Sequence, residues 1–291
     1  MGQQQAVPNS KGAAPPRLQA AANAADCHIH ILDPRFPEPP NKRPSPKNAT
    51  VADYRLLQKR NGTKRVVVVQ PRAYAIDNRV TLDALAQLGA DARGVAVVHP
   101  AITDAELKAF DAAGVRGIRF SLGEPSTAVT TVDMVEPLAK RIAKLGWHVQ
   151  LHAPGDLIAA QAPLLQRLPT PLVIDHLGRF PPETGLAHPA YQVIRGLLDQ
   201  GRTWIKLAGA YFNTTGEPPE YPGAEKIAQA YAKAAPERLV WGSDWPHPSE
   251  IHKPERPDDA VLFDLLSVWV PDEATRHKVL VTNPEKLYGF A

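Results

Sequence analysis

Short apolar segments alternate with helical segments eight times along this chain, and this alternation is the feature that most limits the fold. Each apolar segment is hydrophobic at consecutive positions, which is typical of parallel strands that are covered on both faces. Parallel strands need crossover connections, and the helical patterns supply them. The eight predicted strands are 26–31, 65–71, 94–100, 115–122, 147–152, 171–176, 203–209 and 238–244.

Eight strand–helix pairs without a glycine-rich nucleotide-binding fingerprint favour a closed barrel over an open doubly wound sheet. We therefore predict an α/β fold, a (β/α)8 TIM barrel, as a single domain over residues 26–291. Residues 1–25 are rich in Gln, Ala, Pro and Gly and show neither a strand nor a helix period. We predict a flexible N-terminal arm there.

Three helical segments carry specific expectations. Thr103-Asp104-Ala105-Glu106 has the residues of a capping box, which predicts the start of the third helix. The fifth helix is predicted as one segment over 156–168. A closing helical segment is predicted over 272–288.

Charge and cysteine content exclude several classes of function. The 33 Lys and Arg residues nearly balance the 30 Asp and Glu residues, so we expect no nucleic-acid partner and no anionic membrane surface. The single cysteine, Cys27, excludes an internal disulfide and is expected to be buried. No apolar run approaches the ~20 residues that cross a bilayer, and the N-terminus lacks the apolar core of a secretory signal. We expect a cytoplasmic protein; the oligomeric state is not predicted.

The first predicted strand carries two histidines, His28 and His30. Side chains alternate across a strand, so both imidazoles are expected on one face, about 7 Å apart along the chain. Cys27, Ile29 and Ile31 are expected on the opposite face. Two histidines at this spacing can share a metal ion or hold two edges of one substrate. The same pattern equally fits two polar residues that end a strand and have no functional role.

Polar side chains also stand at the ends of the other strands, where active sites of (β/α)8 barrels lie. Alternation predicts that the two residues of each of four pairs share a face: Arg119 with Ser121, Gln150 with His152, Ile174 with His176, and Gly242 with Asp244. If these faces look inward, one pocket holds several histidines, two or three cations and a carboxylate. The candidates are Gln70, Arg72, His99, Arg119, Ser121, His152, His176, Lys206, Tyr211, Asp244 and His247.

Structural explanations compete for several of these residues. Asp244 would otherwise cap the turn that follows its strand. His176 would otherwise be a buried histidine paired with Asp175. His99 is as compatible with packing under a loop as with a site. His148 lies at the entry end of its strand, and we predict a structural role for it.

Two cationic residues lie within apolar strands. Arg119 follows Ile118 and precedes Phe120, so a buried Arg119 must be paired, and its planar guanidinium suits a carboxylate. The same argument applies to Lys206 with less force, because a lysine can extend its ammonium to solvent.

The positions of these residues resemble the amidohydrolase superfamily. His28-x-His30 on the first strand, His152 on the fifth, His176 on the sixth and Asp244 on the eighth carry the resemblance. It covers the chain from about residue 25 to the end. Longer motifs are similar to the branch that holds 2-pyrone-4,6-dicarboxylate lactonase, sugar-acid lactonases and galactarolactone isomerase. These motifs are 69–71 (VQP), 77–79 (DNR), 117–120 (GIRF), 174–178 (IDHLG) and 242–246 (GSDWP).

This resemblance implies hydrolysis of a lactone that bears one or more carboxylates. Asp244 would take a proton from water as general base and return it to the leaving oxygen. His28, His30 and His176 would polarise the carbonyl, either directly or through one divalent cation. The predicted partners of the substrate carboxylate are Arg119, Lys206 and Arg72. Further substrate contacts are predicted for Gln70, His152 and Tyr211.

The resemblance departs from the two-metal members of the superfamily at one position. Those members carry a bridging carboxylated lysine or a glutamate on the fourth strand, where this chain has Arg119. Arginine keeps its proton, so at most one metal is expected. The implied ligands are His28, His30, His152 and Asp244, with zinc as the first choice. Members of the same branch work without a metal, so we expect either no required cofactor or one divalent ion.

Three other functions stay open at this stage. A lactone isomerase would use a substrate hydroxyl in place of water as the nucleophile. A metal-dependent decarboxylase is also supported within the wider superfamily. A barrel that only binds its ligand would show saturable lactone binding without turnover.

Overall fold

The structure is a computed structural model that describes residues 6–39, 45–46, 48–124, 129–214 and 218–291. Within these residues, eight parallel strands follow one another in the sheet in the order of the chain. The strands are β1 (Ala25–Ile29), β2 (Arg65–Val69), β3 (Ala92–Ala96), β4 (Val115–Ser121), β5 (His148–His152), β6 (Leu172–Ile174), β7 (Thr203–Leu207) and β8 (Leu239–Trp241).

The sheet closes into a barrel between β1 and the residues that follow β8. The Asp244 N–H donates to the His28 carbonyl at 2.8 Å, and the His30 N–H donates to the Trp245 carbonyl at 2.8 Å. Gly242 permits this approach, because a Cβ at that position would lie 2.5 Å from the His28 Cβ. The predicted single-domain (β/α)8 TIM barrel is therefore confirmed.

Helices lie between the strands and follow β8 on the outside of the barrel. None of them, in the part of the chain that the structure describes, is long and apolar enough to cross a membrane. They are α1 (Val51–Asn61), α2 (Arg79–Leu88), α3 (Asp104–Ala112), α4 (Val132–Ile142), α5 (Gly155–Ala160), α6 (Ala162–Gln166), α7 (Pro189–Asp199), α8 (Pro222–Ala234), α9 (Asp259–Trp269), α10 (Glu273–His277) and α11 (Asn283–Tyr288).

The capping box predicted at the start of α3 is present. The Thr103 hydroxyl accepts from the Glu106 N–H at 3.2 Å, and the Glu106 carboxylate accepts from the Thr103 N–H at 2.7 Å. These two bonds satisfy backbone N–H groups that have no partner inside the helix. Thr50 and Asp53 form the same box at the start of α1.

One helical prediction needs correction. The segment predicted as one helix over 156–168 is divided into α5 and α6 at Gln161. Pro163 lies in the first turn of α6, where its missing N–H is tolerated, whereas an uninterrupted helix would need that hydrogen bond. The closing helical segment predicted over 272–288 is confirmed, and it contains a π-helical turn, Lys278–Thr282, between α10 and α11.

A small apolar cluster fills part of the barrel interior below the site. Cys27 is buried there, as predicted, together with valines from four other strands. Tyr288, the last residue of α11, and Phe290 belong to the same cluster. The larger apolar core lies between the outer faces of the strands and the surrounding helices. The barrel is therefore packed at its interior, and open space is left at the carboxyl ends of the strands.

The described part of the N-terminal arm contacts the wall of the barrel near α1 and α9. The Trp245 indole N–H donates to the Pro8 carbonyl at 2.8 Å, and the Arg60 Nε donates to the Ala14 carbonyl at 2.8 Å. The Leu18 N–H donates to Asp264 at 2.8 Å. Residues 6–24 contain neither helix nor strand. The predicted flexibility of the arm stays a prediction.

Candidate active site

A cavity of about 500 Å³ opens at the carboxyl ends of the strands. Its walls come from strand ends on several sides of the barrel and from the segment that follows β8. The lining residues are His30, Leu32, Ser45, Pro71, Arg72, Ala73, Arg119, Glu124, His152, His176, Arg179, Phe212, Asp244, Pro248, Ser249, Ile251 and His252. The cavity thus contains several of the residues that the sequence places at strand ends.

Three histidines surround one oxygen of Asp244; His30 and His176 line the cavity together with Asp244, and His28 does not. The Asp244 Oδ1 lies 3.5 Å from His28 Nε2, 3.4 Å from His30 Nε2 and 4.0 Å from His176 Nε2. All four side chains are buried. Within the described residues, Oδ1 makes no hydrogen bond of ordinary geometry. The predicted catalytic set is therefore brought together around a single carboxylate oxygen.

A β-bulge in β1 places His28 in this group. Asp26 pairs with Val66 and Ile29 pairs with Val68, so Cys27 and His28 together face the single residue Val67. The extra residue lets two consecutive side chains point inward. Strict alternation, which put Cys27 and His28 on opposite faces, was therefore wrong for this strand.

Backbone conformation places the other two residues. His176 has φ +52° and Asp244 has φ +62°, in the left-handed region that few non-glycine residues adopt. In β6, Val173 faces the barrel interior and Ile174 faces the helices, so alternation points Asp175 inward. His176 joins it only because the chain turns. The predicted pairing of His176 with Ile174 on one face was therefore wrong.

Burial and charge set the protonation states in the cluster. Burial acts to raise the pKa of Asp244, but His176, His30 and His28 outweigh it and hold that pKa well below its usual range. Burial lowers the pKa of His176 to about 4, against the opposing pull of Asp244. Burial and the nearby Lys206 ammonium hold the pKa of His28 well below its ordinary value. At neutral pH, Asp244 is an anion beside neutral His28 and His176.

The hydrogen bonds of His30 show what could lie between these groups. Its Nδ1 lies 2.8 Å from the Val69 carbonyl, which can only accept, so Nδ1 carries a proton. A neutral His30 then turns the lone pair of Nε2 toward Asp244 Oδ1. His30 Nε2 and Asp244 Oδ1 then both present lone pairs to each other. A proton on Nε2, or a water or a cation between the two atoms, would satisfy both.

The donor set fits one divalent cation. His28, His176 and Asp244 offer ligand atoms that all lie within 4.8 Å of one another. His30 and His152, which the sequence included among the ligands, are not in this group. His152 Nε2 lies 3.0 Å from Nη1 of Arg179, which donates to it. His176, which the sequence did not include among the ligands, belongs to the candidate metal site because the turn after β6 carries it inward.

A second buried carboxylate, Asp175, lies beneath the cluster. Its Oδ2 accepts from Arg119 Nε at 2.9 Å and from Gln150 Nε2 at 3.1 Å. Its Oδ1 lies 3.4 Å from His28 Nδ1 and 4.0 Å from Lys206 Nζ. Burial acts to raise the pKa of Asp175, but Arg119, His28 and Lys206 outweigh it and hold that pKa well below its usual range.

Cationic and aromatic groups form the upper part of the cavity. Arg72 Nη2 lies 3.4 Å from Glu124 Oε2. The Arg179 guanidinium lies 4.9 Å from the centre of the Phe212 ring and contacts His152. Arg119 reaches the cavity from below while its Nε remains bound to Asp175. Three guanidinium groups therefore border one pocket, a suitable environment for an anionic ligand.

Three residues predicted to contact the substrate do not line the cavity. Gln70 is fully buried, and its amide bonds to Asp77 and Thr81. Lys206 is also fully buried and donates to the Cys27 carbonyl at 2.8 Å. Tyr211 directs its hydroxyl to Asp244 Oδ2 at 2.5 Å. Lys206 and Tyr211 therefore lie behind the reacting groups, and Gln70 belongs to the wall.

The remaining candidates lie in varied positions. His99 is exposed, and Ser121 lies at the end of β4, where its backbone N–H bonds to Thr130. His247 is buried behind Tyr211. His148 is buried at the entry end of β5, with its ring 5.4 Å from that of Tyr288, which agrees with a structural role.

Sequence reasoning missed two residues of this site. Arg179 was not a candidate, although it follows directly after the 174–178 motif at the end of β6. Asp175 was considered only as a partner of His176, whereas it binds Arg119 and lies beside His28 and Lys206. Val173 faces the barrel interior, and side chains alternate along a strand, so Asp175 faces the interior too. This alternation is the signal that would have identified Asp175.

Curated relatives of this chain act on lactones. A 4-sulfomuconolactone hydrolase of Rhizobium radiobacter is 33% identical over 95% of this chain and 93% of its own length. A 2-pyrone-4,6-dicarboxylate hydrolase of Comamonas testosteroni is 34% identical over 94% of this chain and 92% of its own length. A D-galactarolactone isomerase of Agrobacterium fabrum is 33% identical over 92% of this chain and 91% of its own length.

A solved structure agrees with these relatives. A protein from Acinetobacter baumannii, crystallised with citric acid bound, is 30% identical and matches 92% of this chain and its own full length, with a TM-score of 0.79. A family model described as amidohydrolase matches residues 25–290. This chain belongs to the amidohydrolase family.

Proposed function

We propose that this protein hydrolyses a lactone that carries one or more carboxylate groups. The observation that supports this most strongly is the ionised Asp244, whose Oδ1 faces three imidazoles at the floor of a cavity bordered by arginines. A base that lies beside groups able to polarise a carbonyl is what ester hydrolysis needs.

The reaction begins with a water beside Asp244 Oδ1. Its oxygen attacks the lactone carbonyl carbon while Asp244 takes one proton, and the carbonyl oxygen becomes an oxyanion. When the tetrahedral intermediate collapses, the ring C–O bond breaks and Asp244 returns the proton to the leaving oxygen. One water is added, and the product carries a hydroxyl group and a new carboxylic acid, which ionises to a carboxylate by releasing the second water proton to solvent.

Substrate binding adjusts the basicity of Asp244. A carboxylate with a low pKa is always ionised at neutral pH, but it is a weak base. The negative charge of a bound substrate, together with the exclusion of water, raises the pKa of a nearby carboxylate. An anionic lactone therefore makes Asp244 a better base than a neutral lactone does.

Arg119, Arg179 and Arg72 are the proposed partners of the substrate carboxylates. All three line the cavity, and a guanidinium binds a carboxylate through two parallel hydrogen bonds. His152 shares the wall with Arg179 and orients it. The hydrolase relatives are named for a sulfonated and a dicarboxylated lactone, and the related solved structure holds citric acid, which supports an anionic substrate.

Isomerisation of a sugar-diacid lactone is the second candidate, because one relative of similar identity is D-galactarolactone isomerase. There a substrate hydroxyl would replace water as the nucleophile, and Asp244 would take its proton. The same residues serve both reactions, so the source of the attacking oxygen distinguishes them.

His28 is suited to work with or without a metal ion. Its Nδ1 lies 3.3 Å from Lys206 Nζ and 3.4 Å from Asp175 Oδ1, so it has both a donor and an acceptor beside it. When Nδ1 accepts from Lys206, Nε2 carries a proton that can bind the carbonyl oxygen. When Nδ1 donates to Asp175, Nε2 is a ligand with a carboxylate behind it.

A divalent ion, with zinc as the first choice, would be held by His28, His176 and Asp244. It would act as a Lewis acid and polarise the carbonyl. We propose that the site can bind one such ion but does not need it. Elemental analysis and activity measured before and after exhaustive chelation test this proposal. Activity that disappears on chelation and returns in proportion to added zinc would refute it.

The proposed function is tested by NMR of the purified protein with a panel of pyrone and sugar-diacid lactones. We expect at least one carboxylated lactone to be opened, and its neutral analogue to react far more slowly. Binding of these lactones without turnover would contradict the proposal and identify a barrel that only binds its ligand.

A further inference from the structure

The second oxygen of Asp244 begins a line of hydrogen-bonded side chains that leads away from the cavity, beginning with the half-buried Tyr211. The Tyr211 hydroxyl donates to Asp244 Oδ2 at 2.5 Å. His247 Nδ1 lies 3.2 Å from the Tyr211 hydroxyl, and His247 Nε2 lies 3.2 Å from Asp259 Oδ2. His247 and Asp259 are fully buried. We call these three residues, Tyr211, His247 and Asp259, the rear triad.

The direction of each hydrogen bond follows from the donors available. Tyr211 has one hydroxyl proton, and the carboxylate of Asp244 can only accept it. The Tyr211 oxygen must then accept from His247 Nδ1, and Asp259 must accept from Nε2. His247 therefore donates on both sides, between two carboxylates that favour its charged form. Burial opposes that form, but Asp259 outweighs it and raises the pKa of His247.

The rear triad joins three elements of the fold. Tyr211 belongs to the 3₁₀ turn Ala210–Phe212 that follows β7. His247 lies in the segment after β8 and has φ +58°, and Asp259 is the first residue of α9. Tyr211 is not among the residues that line the cavity. A contact to Asp244 from behind orients the carboxylate without occupying space that the substrate needs.

We propose that Tyr211, held by His247 and Asp259, is a positioning residue that occupies Asp244 Oδ2 and makes Oδ1 the basic oxygen. This inference rests on the proposed function, in which Asp244 is the general base. Without the hydroxyl of Tyr211, the carboxylate can rotate about its last torsion, and the basic oxygen no longer stays between the histidines and the substrate. The rear triad then acts on the rate and not on substrate affinity.

The test uses Tyr211→Phe, His247→Gln and the double variant. Loss of a residue that orients a reacting group from behind typically costs ~10–100-fold in activity. We expect kcat to fall by that factor in Tyr211→Phe, and by about 10-fold in His247→Gln, with KM within about threefold of the wild type. Because His247 acts through Tyr211, the double variant should be no slower than Tyr211→Phe.

His188→Gln is the matched control. His188 is also buried, and its Nε2 lies 3.0 Å from Asp156 Oδ1, but its Nδ1 caps α7 by accepting from the Ala190 N–H, and among the described residues it makes no bond to Asp244. We expect its kcat to equal that of the wild type. If His247→Gln does not fold, as judged by its thermal midpoint, Asp259→Asn takes its place, since the asparagine oxygen can still accept from His247 while the charge is lost.

Crystal structures of the wild type and of Tyr211→Phe give a readout that does not depend on turnover. We expect the Asp244 carboxylate plane to rotate in the variant. An unmoved carboxylate, an unchanged kcat, or additive losses in the double variant would overturn the positioning role. A wild-type protein that opens no lactone in the panel would instead refute the proposed function, while the rotation of Asp244 would still report on the rear triad.

Discussion

Asp175 and Asp244 are both buried carboxylates at the ends of barrel strands, but their partners differ in kind. Asp175 has one permanent cation in direct contact, Arg119 at 2.9 Å, and a second, Lys206, at 4.0 Å. Asp244 has the Tyr211 hydroxyl on one oxygen and three imidazoles around the other. One charge is balanced within the fold, and the other faces the cavity.

This difference separates a structural carboxylate from a reactive one. A proton on Asp175 would leave Arg119 and Lys206 buried without their counter-charge, so Asp175 stays ionised. Asp244 contacts three imidazoles and a hydroxyl, none of which is a permanent cation, so the negative charge of a bound substrate can raise its pKa. The carboxylate with fewer fixed cations is therefore the one suited to act as a general base.

The largest expected effect is that of Asp244→Asn on turnover. Removal of a general base should lower kcat by ~10²–10⁴-fold. The fold and the affinity for the product should be nearly unchanged, because the asparagine keeps the shape of the side chain. Steady-state kinetics with a carboxylated lactone, beside equilibrium unfolding, measure both quantities. A variant that keeps more than half of the wild-type kcat would remove Asp244 from the reaction.

Asp175→Asn should show the opposite pattern, with its main effect on stability. Removal of one partner from a buried ion pair costs ~3–5 kcal/mol, because the other charge is left uncompensated. Urea unfolding of Asp175→Asn and Asp244→Asn under the same conditions makes the comparison. Equal free energies of unfolding for Asp175→Asn and the wild type would show that Arg119 and Lys206 have another counter-charge.

Arg179→Met should weaken binding of a carboxylated lactone selectively. Methionine keeps the contact with Phe212 but cannot bind a carboxylate, so KM should rise by ~10–100-fold, as expected when a hydrogen bond to a charged group is lost. A neutral lactone with the same ring is the internal control, and its KM should change much less. Arg195→Met, which removes a half-buried arginine of α7 that pairs with Asp199, is the control variant. Equal effects of Arg179→Met on the KM of both lactones would show that Arg179 is a structural residue of the cavity wall and does not bind the carboxylate.

The smallest expected effect lies at the opposite end of the barrel. Burial and Lys206 lower the pKa of His148 to about 3. Between pH 6.5 and that value, the unfolded chain binds a proton at His148 that the folded protein does not, so this residue reduces stability as the pH falls. In His148→Leu, the loss of stability between pH 7 and pH 5 should be smaller by ~1–2 kcal/mol. Urea unfolding at the two pH values measures the difference, and parallel losses in both proteins would contradict it.

Much of the fold and part of the site were predictable from the sequence. The consecutive apolar strands and the helices between them predicted the barrel, and alternation correctly placed Arg119 and His152 inward on β4 and β5. Regular strands preserve parity, and these two pair in continuous register from Gly117 to Ser121. Where a strand was regular, alternation therefore predicted correctly which side chains at its end face the barrel interior.

The remaining parts of the site depend on geometry that local sequence does not specify. The bulge that turns His28 inward is a property of the pairing between β1 and β2. The positive φ of His176 and Asp244 is fixed by contacts with distant segments, such as the bond from the Asp244 N–H to the His28 carbonyl. The positions of Lys206 and Tyr211 behind the reacting groups depend likewise on partners far away in the chain.

The most direct test of the account is the reaction of the wild-type protein with a carboxylated lactone in ¹⁸O-labelled water. Hydrolysis with water activated by Asp244 puts one ¹⁸O atom into the carboxylate that forms, and mass spectrometry detects it. We expect this label in the wild-type product, and a rate of labelling that falls with kcat in Asp244→Asn. A rearranged lactone that forms without ¹⁸O would contradict hydrolysis and assign the attacking oxygen to a hydroxyl of the substrate.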